Sequence, residues 1–220
     1  MKVIVYGATG MVGQGVLREC LRDPEVEQVL VVGRTPSGVE DPKLREIVRA
    51  DLFDYVDIED ELRGYDACFF CLGVSAAGMS EEQYTRITYD LTMAVAETLA
   101  RLNPHMTFIY VSGAGTDSTE KGRSMWARVK GRTENDLLKL PFKAAFMFRP
   151  ALIQPLHGIK SKTKAYRVGY AIGAPLFPVL KALSPRWVTT TEEVGLAMLS
   201  VAKNGHSTPI LENEDIRALG

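Results

Sequence analysis

A glycine-rich stretch near the N-terminus, G-A-T-G-M-V-G at residues 7–13, constrains the fold more than any other feature of this sequence. It follows the apolar residues 2–6 and leads into a helical pattern that starts at Met11. A strand, a glycine turn and a helix N-terminus make an anion site, because free backbone N–H groups and the positive end of the helix dipole point at the same place. The first two glycines permit the tight turn and the close approach of a pyrophosphate, and the third lets the helix pack against the sheet. The stretch therefore predicts a dinucleotide site.

Apolar and amphipathic segments alternate along the chain after this stretch. Predicted strands lie at residues 3–6, 28–34, 47–50, 67–72, 106–112, 144–148 and 209–211. Predicted helices lie at residues 11–23, 58–63, 80–102, 123–140 and 191–202. Such alternation favours an α/β fold, a doubly wound parallel sheet with helices on both faces. Residues 151–188 carry many glycines and prolines, and we expect them to form a short irregular, partly helical wall on the substrate side of a single domain, residues 1–220.

Composition argues against several kinds of function. The chain has 220 residues, of which 46% are hydrophobic, and this suits one sizeable core. Its formal net charge of −1 argues against a general attraction to nucleic acid or anionic lipid. The most apolar late stretch, at residues 168–183, is broken by glycine and proline and is shorter than the ~20 residues that span a bilayer. Because no targeting signal precedes the first predicted strand, we expect a cytoplasmic protein that is not bound to a membrane.

The cysteines and histidines predict neither a redox pair nor a metal site. Cys68 and Cys71 are spaced as C-x-x-C, but they lie in a run typical of a buried strand, where residues three apart point to opposite faces. We interpret them as small core residues in a reducing compartment. The histidines, His105, His157 and His206, are scattered without ligand spacing, so we expect no metal.

The carboxyl ends of the predicted strands are where we expect a ligand, because open sheets of this type bind ligands there. The end of the second strand distinguishes the two nicotinamide dinucleotides: an acidic residue holds the ribose 2′-hydroxyl of NAD, whereas an arginine accommodates the 2′-phosphate of NADP. This chain has Arg34 at that point and no carboxylate before Glu40. A guanidinium offers a planar fork of donors suited to phosphate, so the sequence favours NADP(H) over NAD.

The residues that we expect to contact the dinucleotide lie mostly in the turns that follow these strands. Asp51 is expected near the adenine, and residues 72–74 beside the adenosine ribose and the pyrophosphate. The predicted contacts are Gly7, Thr9, Gly10, Met11, Val12, Gly13, Arg34, Asp51, Leu52, Leu72, Gly73, Val74, Pro150 and Ile153.

Taken together, these motifs resemble the extended and atypical short-chain dehydrogenase/reductases, and within them the short NAD(P)H-binding, epimerase-like members. The resemblance is carried by the glycine stretch, Asp51-Leu52, Cys71-Leu72-Gly73, Tyr110-Val111-Ser112, the helix with Lys130, and residues 149–153. It covers nearly the whole chain and implies a Rossmann fold. It also implies chemistry by a serine and a Tyr-x-x-x-Lys pair. In that scheme the tyrosine transfers the proton, the lysine lowers the pKa of the tyrosine and holds the nicotinamide ribose, and the serine orients the substrate oxygen.

This sequence departs from the family pattern at one position. Ser112 and Lys130 match the serine and the lysine, but Trp126 stands where the family has tyrosine. An indole N–H donates a hydrogen bond but does not act as an acid or base near neutral pH. The resemblance therefore makes Ser112 and Lys130 the catalytic candidates, and Lys130 also a cofactor contact, while the source of the proton is open.

Three functions remain open at this point. In the first, the protein is an NADP-dependent oxidoreductase or epimerase-type enzyme for a small carbonyl or hydroxyl substrate, with the proton coming from Lys130, a water on Ser112, Tyr166 or Tyr170. In the second, it is a non-catalytic NADPH-binding redox sensor or partner-binding module. In the third, it is an assembly factor that uses the dinucleotide structurally. We favour the first, because Ser112, Lys130 and residues 150–153 are intact; the sequence predicts no oligomeric state.

Overall fold

The structure, a computed structural model, describes residues 1–159 and 187–220. Within these ranges the strands are β1 (Lys2–Tyr6), β2 (Gln28–Gly33), β3 (Leu44–Val48), β4 (Ala67–Phe70), β5 (Thr107–Val111), β6 (Ala144–Arg149), β7 (Leu152–Gln154), β8 (Val188–Thr190) and β9 (Ile210–Glu212). One sheet has the order β3-β2-β1-β4-β5-β6-β9, and every neighbouring pair in it is parallel. The direction of winding changes between β1 and β4, which opens a crevice at the carboxyl edge of the sheet.

Helices cover both faces of this sheet. They are α1 (Met11–Arg22), a 3-10 helix (Val56–Leu62), α2 (Glu81–Thr85), a π-helical turn (Arg86–Asp90), α3 (Leu91–Leu102), α4 (Met125–Leu137), α5 (Thr191–Asn204) and α6 (Asn213–Leu219). Because alternate strand residues point to opposite faces, Val3 and Val5 join the core beneath α1 and α5, whereas Ile4 and Tyr6 join the core beneath α3. The predicted doubly wound parallel sheet is confirmed.

Reciprocal caps begin three of the described helices, α2, α5 and α6, and the sequence predicts the first two of these helices. At α2, the Ser80 hydroxyl accepts the backbone N–H of Gln83 at 3.2 Å, and the Gln83 side chain accepts the N–H of Ser80 at 3.2 Å. At α5, Thr190 and Glu193 form the same kind of pair. The sequence predicts both starts from their acidic first turns, although the cap of α5 is Thr190, one residue before the expected position.

The short elements are where the sequence-based prediction and the structure differ. β3 runs from Leu44 to Val48 instead of 47–50, because it is an edge strand with mostly exposed side chains and lacks the apolar run of a buried strand. β7 and β8 pair in a separate two-stranded parallel sheet that was not predicted, and neither was α6. Segments of three to seven residues are too short to show the hydrophobic periodicity from which a strand or a helix is predicted.

The predicted wall at residues 151–188 is described only at its two ends, where β7 and β8 pair. Residues 160–186, with Tyr166 and Tyr170, lie outside the described residues. Among the helices that the structure describes, none is long and apolar enough to cross a membrane. In the same parts of the chain, no group of three or more His, Cys, Asp or Glu side chains could hold a metal ion.

Candidate dinucleotide site

A cavity of about 1050 Å³ opens at the carboxyl edge of the sheet. It is lined by the turns that follow β1, β2, β4, β5 and β6, by the start of α1 and by two side chains of α4. Almost every residue that the sequence predicts for the site lines this cavity; among the predicted cofactor contacts the exceptions are Gly13 and Asp51. The crevice at the strand ends thus gathers residues that are up to 146 positions apart, from Gly7 to Ile153 (153 − 7 = 146).

The turn between β1 and α1 is so tight that two of its positions require glycine. Gly7 has φ +82°, and a Cβ atom there would lie 2.7 Å from the carbonyl carbon of Cys71. A Cβ atom on Gly13 would lie 2.1 Å from the carbonyl oxygen of Gly7. Gly13 therefore allows α1 to pack directly against the turn rather than against the sheet. It does not line the cavity itself, but it contacts Gly7 and Ala8, which do.

The N-terminus of α1 points free donors at the cavity. Gly10 is its N-cap and supplies no side-chain acceptor, and no acidic residue occupies the first turn. The first helical bond runs from the N–H of Gln14 to the carbonyl of Gly10 at 2.9 Å, so the N–H groups of residues 11–13 have no acceptor within the helix. Met11 and Val12 line the cavity. This arrangement fits a phosphate, which would accept these N–H groups and interact favourably with the helix dipole.

Only two charged side chains line the cavity among the described residues, and both are cations: Arg34 and Lys130. Arg34 follows β2, is exposed, and forms no hydrogen bond or ion pair with another described residue. Lys130 stands on α4 beside β5. In the sheet, β5 is three strands away from β2, the strand that Arg34 follows, and this spacing corresponds to about 14 Å between the two strands. A cavity with a cation at each side and free amides between them fits an elongated ligand that carries several phosphates.

Lys130 lies on the side of the cavity that β5 and α4 form. Its Nζ donates a hydrogen bond to the carbonyl oxygen of Ser112 and lies 5.9 Å from the centre of the Tyr110 ring. Burial lowers the pKa of Lys130 to about 8, and the nearby charge of Glu134 acts in the opposite direction. The lysine is therefore a cation that can lose its proton close to neutral pH.

Ser112 is hydrogen-bonded to Glu134, which forms an ion pair with Arg149; the sequence-based prediction gave neither charged residue a role. Its hydroxyl donates to a carboxylate oxygen of Glu134 at 2.5 Å and lies 3.1 Å from the carbonyl oxygen of Phe148. Glu134 is completely buried and pairs with Arg149, whose exposed fraction is 9%. The spacing of Trp126, Lys130 and Glu134, four residues apart along α4, places them on one helix face and is the signal that could have identified Glu134.

Trp126, which the resemblance aligns with the family tyrosine, lines the cavity. It is half-buried, and its six-membered ring lies against Gly115, where a Cβ atom would be 3.5 Å from Cη2 of the indole. No hydrogen bond joins its N–H to another residue in the described part of the chain. The ring therefore presents an apolar surface close to Lys130.

Asp51 is the predicted contact that the structure places elsewhere. Its carboxylate accepts the backbone N–H of Phe53 at 2.8 Å, and its side chain is exposed. The neighbouring Leu52 does line the cavity and is buried. The carboxylate turns away because a short acidic side chain after a strand readily caps the backbone two residues further on.

Known proteins resemble this chain in sequence and in fold. A family described as NAD(P)H-binding matches residues 7–137. The mitochondrial protein FMP52-2 of Scheffersomyces stipitis is 27% identical over 213 residues, which cover 96% of this chain and 89% of the relative. A short-chain dehydrogenase/reductase oxidoreductase from Burkholderia thailandensis has a TM-score of 0.71 at 16% identity, over 100% of this chain and 93% of that chain. The Bordetella bronchiseptica enzyme WbmF, solved with NAD+, has a TM-score of 0.66 at 16% identity, over 99% of this chain and 76% of that chain.

The solved structures share the fold with this chain at identities too low to show more. The match to the family model shows more than the fold, because it spans more than half of the chain. The matched range contains the glycine turn, Arg34, Ser112 and Lys130. With free amides and two cations placed around one crevice, the residues present suit a nicotinamide dinucleotide. The chain belongs to the NAD(P)H-binding family and has the Rossmann fold of the short-chain dehydrogenase/reductases.

Proposed function

We propose that this protein is an NADP(H)-dependent oxidoreductase of the short-chain type, which acts on a small carbonyl or hydroxyl substrate. The observation that supports this most directly is the cavity itself, with Arg34 and Lys130 as the charged side chains among its described lining residues. The residues after β1, β2 and β4 would hold the adenosine and phosphate part, and Ser112, Trp126 and Lys130 would surround the nicotinamide and the substrate. When bound, the dinucleotide supplies the hydride or accepts it.

Arg34 is the basis for NADP(H) rather than NAD(H). Its guanidinium is exposed beside the cavity and has no competing partner among the described residues, so it is available to a 2′-phosphate. A charge-assisted hydrogen bond contributes about 1.5–3 kcal/mol, which corresponds to roughly 10- to 100-fold in affinity.

Isothermal titration with both reduced dinucleotides tests this choice. We expect NADPH to bind at least about tenfold more tightly than NADH to the wild-type protein, and Arg34→Ala to remove that preference by weakening NADPH alone. Arg63→Ala, a change at an exposed arginine of the surface pair with Glu59, is the matched control and leaves both affinities unchanged. Equal binding of NADH and NADPH by the wild type would refute the assignment of NADP(H).

A second function, NADPH binding without chemistry, is favoured by one observation. Trp126 takes the place of the tyrosine that transfers the proton in the family, and it presents an apolar ring to the cavity. In this alternative the ring would pack on the nicotinamide, and the protein would report the redox state of the dinucleotide to a partner.

Oxidation of NADPH across a panel of aldehydes, ketones and quinones distinguishes the two functions. Turnover by the wild-type protein supports the oxidoreductase, and Trp126→Tyr is expected to increase the rate, since it restores the family's proton donor. Tight NADPH binding with no oxidation by any member of the panel would support the sensor.

The surroundings of the protein remain predictions. A small-molecule substrate is the partner that the cavity suits, and we keep the expectation that neither nucleic acid nor a membrane is involved. Cytoplasmic location is likewise a prediction, and relatives such as FMP52-2 carry the word mitochondrial in their names. Fractionation of cells that express the tagged protein would decide between these compartments.

A further inference from the structure

The hydroxyl proton of Ser112 is directed into the protein rather than into the cavity. A serine hydroxyl has one proton to donate. Both acceptors near it belong to the protein, a Glu134 carboxylate oxygen at 2.5 Å and the Phe148 carbonyl oxygen at 3.1 Å. The exposed fraction of Ser112 is 8%, so the side chain has little freedom to turn outward. Ser112 can accept a hydrogen bond from a ligand, but it does not donate one to a carbonyl oxygen.

Glu134 is held in place for this contact. Arg149 donates from Nε to both carboxylate oxygens, at 3.1 and 3.2 Å, and from Nη2 to one of them at 2.5 Å. The same guanidinium also binds Glu212 at 3.1 Å and the Ser118 hydroxyl at 2.5 Å. A carboxylate held by a fork of N–H groups accepts hydrogen bonds through both of its oxygens.

Lys130 retains donors for which the described residues offer no acceptor. An ammonium group has three N–H donors, and Nζ gives one of them to the carbonyl oxygen of Ser112. The structure shows no other acceptor for Nζ among the described residues. The charged and titratable groups that surround it there are Glu134 on its own helix and Tyr110 on β5, with Arg149 on β6 behind Glu134. Burial raises the pKa of Tyr110, so this phenol stays neutral and holds its proton.

We propose that Lys130 donates the proton to the substrate in place of the missing tyrosine, and that Glu134 is the positioning residue that assigns this task to it. Glu134 does so by accepting the hydrogen bond that the Ser112 hydroxyl donates and by placing a negative charge close to Nζ. This inference depends on the proposed oxidoreductase function and goes beyond it, because it names the acid and a residue that governs it.

The proposed step balances in atoms and electrons. During reduction, the carbonyl carbon gains a C–H bond by taking a hydride from NADPH, and the π bond of the carbonyl breaks. The oxygen takes a proton from Nζ of Lys130, so the product is an alcohol and the lysine becomes a neutral amine. NADPH is oxidised to NADP+, and water returns a proton to the amine. Because desolvation lowers the pKa of Lys130 to about 8, proton loss from this ammonium is accessible near neutral pH.

The pH dependence of NADPH oxidation, with para-nitrobenzaldehyde and the other panel carbonyls as probes, tests the proposal. In the wild type we expect the rate to fall above about pH 8, where Lys130 loses its proton. Glu134→Gln removes the charge that favours the ammonium, so the fall should begin at least about half a pH unit lower. Glu134→Asp keeps the charge and is expected to restore much of the wild-type profile. Glu212→Gln removes the other acidic partner of Arg149 without touching Ser112 or Lys130, and it should keep the wild-type profile.

Two further measurements keep the proposal testable if Glu134→Gln does not fold. Lys130→Arg keeps a cation that cannot release its proton, so we expect NADPH affinity to be retained while the rate falls by about 100-fold or more. Competitive acetylation, read by peptide mass spectrometry, gives the pH at which Lys130 is half protonated in the wild-type protein without any turnover. That midpoint should agree with the alkaline fall of the rate.

The outcomes separate the two hypotheses. Turnover with an unchanged pH profile in a folded Glu134→Gln protein, full activity of Lys130→Arg, or a mismatch between the labelling midpoint and the rate profile would overturn the role of Lys130 and Glu134 alone. NADPH binding without oxidation of any panel member would overturn the oxidoreductase function, and the proton donor with it.

Discussion

Helices α1 and α5 pack in the same core on one face of the sheet, yet their N-termini are built in opposite ways. At α5, the Thr190 hydroxyl accepts the N–H of Glu193 at 3.0 Å, and the Glu193 carboxylate accepts the N–H of Thr190 at 2.8 Å. Two acidic residues in the first turn, at positions 192 and 193, complement the helix dipole. At α1, a glycine stands at the cap, and the first turn has no acid and no side-chain acceptor.

A lysine of α5 and the lysine that lines the cavity differ in the same way. Lys203, in the last turn of α5, donates to Asp23 at 2.8 Å and also pairs with Glu25, and these partners raise its pKa. Lys130 beside the cavity has a lowered pKa, and its hydrogen-bond acceptor is a neutral carbonyl. The comparison teaches that polar groups around α5 are satisfied within the chain, whereas those around the cavity keep capacity for a ligand.

The largest effect is expected from closing the glycine turn. A Cβ atom at position 13 would overlap the carbonyl oxygen of Gly7, so Gly13→Ala must displace the turn from α1. We expect the free energy of unfolding to fall by about 2–3 kcal/mol and NADPH affinity to fall by about 100-fold or more. Urea denaturation and isothermal titration measure the two effects. The control for stability is Gly73→Ala, where a Cβ atom would have no neighbour within 4 Å; an equal loss of stability there would contradict the steric explanation.

The next effect concerns the two lysines and pH. The folded pKa of Lys130, about 8, is below the unfolded value of about 10.4, so between these values the unfolded chain binds more protons and stability rises with pH. Relative to Lys130→Met, the wild-type protein should therefore gain about 2 kcal/mol between pH 7 and pH 10. For Lys203 the folded pKa is raised, so its stabilisation is fully present over this range and is lost only above the unfolded pKa.

Chemical denaturation of wild type, Lys130→Met and Lys203→Met at several pH values provides the measurement. The difference between wild type and Lys203→Met should stay constant between pH 7 and about 9.5, below the unfolded pKa. Parallel curves for both variants would mean that the two lysines do not differ in environment.

An acid placed in the first turn of α1 would make this helix resemble α5. Met11→Glu should stabilise the ligand-free protein by about 0.3–1 kcal/mol through the helix dipole. The same charge should lower the affinity for NADPH by about tenfold, because in the proposed complex it would face the phosphates. Met11→Gln has nearly the same shape without the charge and is the matched control. Thermal melts measure the stability, and titrations measure the NADPH affinity. If Met11→Glu raised both or lowered both, this explanation would be contradicted.

The smallest effect is expected from removing the cap of α5. Thr190→Ala leaves the N–H of Glu193 without its acceptor and should reduce stability by about 1 kcal/mol, or about 2–4 °C in Tm. Ser124→Ala is the control, because Ser124 stands at the N-cap of α4 and makes no side-chain cap. NADPH affinity should change in neither variant, and a weaker affinity in Thr190→Ala would show that α5 contributes to the site.

The residues predicted from sequence were those whose role is set by their neighbours in the chain. The glycine turn, Arg34 and Ser112 each lie at the end of a strand, and parallel strands bring such ends to one edge. Lys130 was predicted from its spacing to Trp126 on α4. The contact between Glu134 and Arg149 could not be predicted in this way, because it forms between a helix and a strand that pack only in the folded protein. Asp51 was predicted from its place after a strand, and its side chain, which accepts the backbone N–H of Phe53, is not among the residues that line the cavity.

The pairing of β7 with β8 has a consequence for how this protein could be altered. Residues 152–154 lie beside residues 188–190 as parallel partners, so the connection that joins them begins and ends in the same small sheet. The entropic cost, in free energy, of closing a flexible connection between two fixed points rises by only about 0.6 kcal/mol for each doubling of its length. An insert of different length or composition could therefore be grafted between these two strands while the glycine turn and Lys130 stay where they are.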